Sequence, residues 1–397
     1  MRKLERAILT VLLVLCLIGV VGIYSSTRDS SGAAYAVKQC LWIGLGLGLM
    51  MLVRKLHIRT LVGIALPTYI VTLLLLGLVL VVGTGPHGTR RWFDFGFIRF
   101  QPSELAKVSL VIMLAHYLSQ VRTFSLGTIL KVYLLVIAPA LLILYEPDLG
   151  TAVVLGIIPF PMLYIAGLDW LHVVFLASPF IALACSRGPL AWVVFASLLV
   201  LIIVFGRFRV WLVSLVLAIN VAIYAVAPIV WNSLADYQRD RLCAFVNPSA
   251  HRFGAAFQTL QSKIAIGSGG MVGKGLFKGT QKALGLVPEQ HTDFIFSIIG
   301  EELGLLGALG VLVLLAVLLS RLLSLASTLR SRFSIYFCYG LSMLLLIQIF
   351  INIGMTVGIA PVTGLPLPLL SYGGSHMLML WAAFGIVFAA YRTRMEY

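Results

Sequence analysis

The sequence predicts an all-α polytopic integral membrane protein with about twelve transmembrane helices and one long extracytoplasmic loop. Three observations carry that reading. Of 397 residues, 60% are hydrophobic and only 11% charged, where a soluble globular chain averages about a quarter charged. Apolar runs close to the ~20 residues that cross a bilayer recur along the chain. The formal net charge of +15 is spread over short loops between those runs. That pattern belongs to membrane topology and anionic lipid heads, not to nucleic acid. Cys16, Cys40, Cys185, Cys243 and Cys338 show no paired spacing, so neither a disulfide framework nor a zinc site is expected.

Spans are expected near 7–24, 36–53, 60–82, 103–119, 129–145, 149–167, 170–186, 189–205, 209–230, 294–320, 334–359 and 376–391. MRKLER leads straight into the first, without a small-residue cleavage site. GLGLG, Gly44 to Gly48, reads as a small-residue packing face inside the second. The seventh and eighth are joined by a tight SRGP turn and form a helical hairpin. Residues 232–292 make the long loop. Within it Phe253, Phe257, Leu260 and Ile264 recur at helical spacing, as in an amphipathic interfacial helix.

Loop charge sets the orientation. With both termini cytoplasmic, the inner side receives Arg2, Lys3, Arg6, Arg54, Lys55, Arg59, Arg122, Arg207, Arg209, Arg321, Arg330, Arg332, Arg392 and Arg394. The outer loop 83–102 breaks the rule with Arg90, Arg91 and Arg99, which suggests a demand for positive charge there. This count brings four unusual stretches to the outer face: the loop 83–102 with RFQPSELAK, then YEPDLGT, the HTD end of the long loop, and GIAPVTGLPLPLLSYGGS.

Each stretch has a plain structural reading beside the functional one. In RFQPSELAK, Pro102, Ser103 and Glu104 suit a helix start, and Glu104 and Lys107 are spaced to pair on one helix face. Alternatively Arg99, Gln101, Glu104 and Lys107 line a polar cavity. In YEPDLGT, Asp148 is well placed to cap the following helix or to face a ligand. GSGGMVGKG tempts toward a P-loop, but Gly267 and Gly273 are six apart and Lys274 is followed by Gly275. A basic loop with Lys274, Lys278 and Lys282 remains. The Pro- and Gly-rich run from Gly358 cannot form a regular helix and is too apolar for a water-exposed loop, so a packed or re-entrant segment is expected.

PEQHTDFIFSIIGEELG poses a separate question, because ionised side chains are expensive in lipid. On a continuous helix Glu301 and Glu302 would lie about 12–14 Å deeper than Asp293, on other faces. They are expected to pair with basic groups on neighbouring helices, while Asp293 sits at the water–lipid boundary.

Taken together, HTDFIFSIIGEELG, RFQPSELAK, EPDLGTA, YQRDRL, FQTLQSKIAIGSGGMVGKG and NIGMTVGIAPVTGLPLPLLSYGGS resemble the SEDS family (shape, elongation, division and sporulation proteins). The short N-terminus favours the RodA branch over FtsW. The resemblance covers nearly the whole chain. It implies a SEDS-like helix bundle and a peptidoglycan glycosyltransferase that polymerises lipid II at the outer face of the cytoplasmic membrane. It implies a class B penicillin-binding protein transpeptidase as partner. The family's essential aspartate falls on Asp293, and its polar cavity residues on Arg99, Gln101, Glu104, Lys107 and Asp148, with Lys263 in the QSK stretch. The family has ten spans, so the surplus here is expected as an inserted helix pair near 188–228.

Asp293 would then be the general base toward the acceptor hydroxyl. An ordinary aspartate, near pKa 3.9, requires proton transfer concerted with bond formation. Arg99, Lys107 and Lys263 would stabilise the leaving diphosphate. A divalent cation (Mg or Mn) could share that task, though no ligand spacing demands one. The competing classes are a flippase for a lipid-linked solute, which also uses intramembrane carboxylates and broken helices, and a non-catalytic scaffold for the transpeptidase.

Overall fold

The computed structural model describes residues 3–28, 33–85, 89–96, 98–185, 188–206, 208, 210–248, 254, 256–279 and 290–393. Arg2, Arg207, Arg209, Arg394, Phe253, Lys282 and the Ser186–Arg187 centre of the expected hairpin turn lie outside them. Every expected span is met by helix. The described helices fall into two compact units, Met1–Ile158 with Asp240–Tyr397, and Pro159–Arg239.

The first unit begins with α1 (Lys3–Thr27) and α2 (Ala34–Arg54). The third expected span is α3 (Ile58–Gly63) and α4 (Ala65–Val82), divided at Ile64. A two-residue antiparallel pair follows, β1 (Phe93–Asp94) with β2 (Arg99–Phe100). Next come α5 (Pro102–Gln120), α6 (Leu126–Tyr145) and α7 (Leu149–Ile157). After α12 (Asp236–Val246), which crosses the boundary between the units, the chain returns with α13 (Phe257–Ser268). The last three are α14 (Ile295–Ala326), α15 (Arg332–Val357) and α16 (Gly374–Thr393).

The least apolar of these spans is the most enclosed. Residues of α5 from Pro102 to Leu114 are buried save for Leu105, because α4, α15 and α16 all pack on it. Protein instead of lipid therefore surrounds Glu104 and Lys107. On α2, only Gly46 of the GLGLG run makes a packing contact: a side chain there would strike Trp381 of α16, whereas Gly44 and Gly48 face open space. Residues 44 and 48 share one helix face and 46 the opposite one, so the run supplies one close approach.

A break in α14 lies just past Glu301 and Glu302. Gly304 adopts φ 66 and ψ −164, a backbone conformation that glycine alone adopts readily. Residues 305–326 follow as helix, about 33 Å at 1.5 Å per residue and long enough to span. Both glutamates precede that span. The backbone groups freed by the break are taken up by the glycine-rich loop after α13. Lys274 N donates to Glu301 O (3.1 Å) and Gly275 N to Glu302 O (3.0 Å), while Leu305 N donates to Gly270 O (2.9 Å).

The second unit contains α8 (Pro159–Ile165), α9 (Trp170–Cys185), α10 (Pro189–Phe205) and α11 (Val210–Ser233). Its helices are joined by ring stacking, Phe175 on Phe208 at 4.4 Å and Trp192 on Tyr224 at 4.5 Å. A buried Asn220 donates to Ser178 Oγ at 2.9 Å, giving α9 and α11 a polar link of the kind used between helices in lipid.

Candidate active site

The Pro- and Gly-rich segment between α15 and α16 has no regular secondary structure, yet Leu365, Leu367, Leu369 and Leu370 are fully or almost fully buried. It is a packed segment, as its composition required. Gly19 of α1 makes room for it: a Cβ there would lie 2.6 Å from Leu370 O. Ser371 ties the segment to itself and to the HTD stretch, accepting from Leu367 N at 2.8 Å and donating to Thr292 O. Tyr372 N donates to His291 O at 2.9 Å. The His291 and Tyr372 rings pack with Tyr35 of α2, at 4.6 Å and 5.0 Å from it.

This segment is the hub on which the separated polar stretches converge. Asp293 is half-buried, just before the buried Phe294 and Ile295. Its carbonyl accepts from Asn352 Nδ2 at 2.9 Å, and the same amide donates to Leu365 O at 2.6 Å. Gly364 has φ +74, and a methyl built on it would sit 3.4 Å from Asp293 Oδ2 and 3.8 Å from Arg241 Nη1. A carboxylate and a guanidinium therefore flank one glycine. Gly358, with φ +76, is covered by the Lys263 side chain, whose Cε and Nζ occupy the space a Cβ would need. The first turn of α7 also reaches the hub, with Gly150 against Thr363 O.

RFQPSELAK joins from the other side. Ser375 at the start of α16 donates to Arg99 O (2.9 Å) and accepts from Gln101 N (3.1 Å). Glu104 is buried, with Oε1 at 2.7 Å from Lys107 Nζ and Oε2 at 2.7 Å from His376 Nδ1. Gln101 stands at the N-cap position of α5 without a side-chain cap, and Pro102 opens the helix. The Arg99 guanidinium is exposed and bonded to Asp94 Oδ2 at 3.0 Å, so it lies outside the enclosed cluster that Glu104 and Lys107 form.

Asp148 takes the capping role that its sequence position allowed. It accepts from Thr151 N (3.1 Å) and Thr151 Oγ1 (2.9 Å). Arg91, the charge that broke the loop rule, donates to the carbonyls of Glu146 (2.8 Å) and Pro147. It secures that turn through backbone acceptors. The Glu146 carboxyl is fully buried and neither oxygen has a hydrogen-bond partner among the described residues. Burial, and then the neighbouring Asp148 carboxylate, push it up to about 9, with Arg91 pulling the other way. Glu301 pairs with Lys274 at 2.9 Å and Glu302 accepts from Ser25 of α1. Both serve the bundle, although the cation comes from a loop instead of a neighbouring helix.

Three residues of the site were not singled out from the sequence: Arg241, Asn352 and His376. Asn352 and His376 each carried a signal, a polar side chain inside an otherwise apolar span. Arg241 carried none, being one of several charges in YQRDR.

A family model described as "Cell cycle protein" (FtsW, RodA and SpoVE) matches residues 5–187 and 174–396. The chain belongs to this SEDS family. Among curated SEDS relatives it is 35% identical over 393 residues to "Peptidoglycan glycosyltransferase MrdB" of Escherichia coli, covering 98% of this chain and 94% of that one. It is 35% identical over 369 residues to "Probable peptidoglycan glycosyltransferase FtsW" of Coxiella burnetii, with 90% and 87% covered. Among solved structures, a chain from work on "a peptidoglycan synthase complex" superposes with a TM-score of 0.74 at 32% identity, covering 98% of both chains. The Thermus thermophilus rod shape determining protein RodA superposes with a TM-score of 0.65 at 28% identity, covering 98% and 96%.

Proposed function

We propose that this SEDS protein is a peptidoglycan glycosyltransferase. It polymerises lipid II into glycan strands at the outer face of the cytoplasmic membrane, for cell elongation and shape. Both termini are cytoplasmic, and a class B penicillin-binding protein crosslinks the product. The names of its curated relatives support the reaction class. The peptidoglycan synthase complex among its structural neighbours supports a crosslinking partner. The expected inserted pair at 188–228 coincides with α10 and most of α11.

One observation carries the site: a single irregular segment touches Lys263 at Gly358 and, six residues on, the Asp293 carboxylate and Arg241 at Gly364. A glycosyl transfer from a lipid diphosphate needs that combination. Asp293 takes the proton of the acceptor hydroxyl as its oxygen attacks the donor's anomeric carbon. The bond from that carbon to the diphosphate breaks with its electron pair leaving on the diphosphate, and a single displacement inverts the anomeric centre. Lys263 and Lys107, with Arg99 nearer water, meet the charge that develops on the leaving group. Glu104 holds Lys107, Gln101 anchors the start of α5, and Asp148 shapes the turn that abuts Thr363. A divalent cation, Mg or Mn, would share the charge of the diphosphate. Among the described residues no three His, Cys, Asp or Glu side chains are grouped to hold one unaided.

The test uses purified wild type and Asp293→Asn with labelled lipid II, products being resolved by length. Long glycan from wild type and none from equally folded Asp293→Asn is expected. Full polymerisation by the variant overturns the assignment of the base. No polymer from either, with or without the transpeptidase, overturns the enzyme reading in favour of a flippase or scaffold.

A further inference from the structure

The buried pair Glu104–Lys107 has a third member. His376, the third residue of α16, is 4% exposed, and its Nδ1 lies 2.7 Å from Glu104 Oε2. Its Nε2 is buried and has no hydrogen-bond partner among the described residues. Among the described residues Glu104 is the ring's one polar anchor. An imidazole is expensive to bury for packing alone, so its polarity serves Glu104.

The geometry fixes how it does so. An ionised carboxylate only accepts, hence Nδ1 carries the proton and donates to Oε2. Glu104 is then held at both oxygens, by Lys107 Nζ from its own helix and by His376 from α16. With only the i,i+3 contact to Lys107, the glutamate and lysine chains would keep rotamer freedom. A donor on a second helix removes it. Ser375 fixes the register of that donor through Arg99 O and Gln101 N on either side of Phe100.

We propose that His376 is a positioning residue for the transfer. Its Nδ1–H clamps Glu104 and, through it, the enclosed Lys107 ammonium, whose charge stabilises the leaving diphosphate from within the protein. This rests on the reading of Lys107 given above.

The experiment compares wild type with His376→Leu, His376→Asn, His376→Gln and Lys107→Gln, by kcat and KM for lipid II per folded molecule. An asparagine amide can reproduce an Nδ1 donor, whereas a glutamine amide falls nearer the Nε2 position. His376→Leu is expected to lower kcat about 10- to 100-fold, the range for losing one hydrogen bond to a charged group, with KM changed little. His376→Asn should restore most of it and His376→Gln should not. Combining His376→Leu with Lys107→Gln should add nothing beyond Lys107→Gln alone, because His376 acts through that lysine. Wild-type turnover in His376→Leu beside an inactive Lys107→Gln would overturn the positioning role alone. If His376→Leu does not fold, equal activity of the Asn and Gln variants overturns it instead. Full activity of Lys107→Gln would show separately that the reading of the lysine had failed.

Discussion

Asn352 holds Asp293 by the backbone: one side-chain amide on α15 donates to the carbonyl of Asp293 at 2.9 Å and to that of Leu365 at 2.6 Å. Two segments far apart in sequence are thereby pinned to one rigid helix. Leucine at 352 would leave both carbonyls without that donor, and a buried unmet acceptor costs about 1–3 kcal/mol. Asn352→Leu is expected to lower both the melting temperature and kcat, with kcat falling at least about tenfold. A thermal shift assay on the same preparation used for polymerisation separates the two effects. Unchanged turnover per folded molecule would remove Asn352 from the site.

Gly364 tests the packing around the carboxylate. Alanine there must adopt φ +74 and place a methyl 3.4 Å from Asp293 Oδ2. The strained backbone costs about 1–3 kcal/mol. Gly364→Ala should lose more activity than a comparably destabilised variant remote from the hub, such as Gly46→Ala, where Trp381 would be displaced.

The Glu104–Lys107 pair predicts non-additive stability. Breaking a buried ion pair by neutralising one partner costs about 3–5 kcal/mol, because the other charge is left buried and unmatched. Glu104→Gln and Lys107→Met should each unfold at clearly lower temperature. The double variant should recover a large part of the loss. Strict additivity would show that the two charges do not interact in the folded protein.

Glu146 predicts how stability changes with pH. Its carboxyl in the folded protein titrates at about 9, against an ordinary value of 4.5. Between these values the folded protein binds the extra proton, so its stabilisation is complete below the ordinary value and is lost as pH rises toward 9. Melting temperature across about pH 5 to 9 should decline in wild type and flatten in Glu146→Gln, which keeps the shape without the charge. Parallel curves would show that Glu146 titrates normally.

The membrane class and the helical course of every apolar run were legible in the chain, whereas Asp293 was singled out through the family resemblance. Apolar length reports the bilayer directly, since backbone in hydrocarbon must form helices. Local chemistry was also readable: Glu104 with Lys107 three residues on, and Asp148 before a helix, are contacts that one helix geometry dictates. The sequence could not supply the break at Gly304. A glycine in an apolar run is compatible with continuous helix, and only the backbone of residues 270–275 across from it stabilises the break.

By itself, then, the sequence determined where the apolar helices lie and which residues are available for chemistry, because each follows from short-range periodicity and solvent. The tertiary structure alone decided which of those residues meet. Asp293, Arg241, Asn352 and Lys263 come from four separate segments, and His376 reaches Glu104 across 272 positions. Such contacts arise from the packing of an irregular, leucine-rich segment against helix ends. Packing depends on the shapes of all its neighbours at once, which no local pattern records.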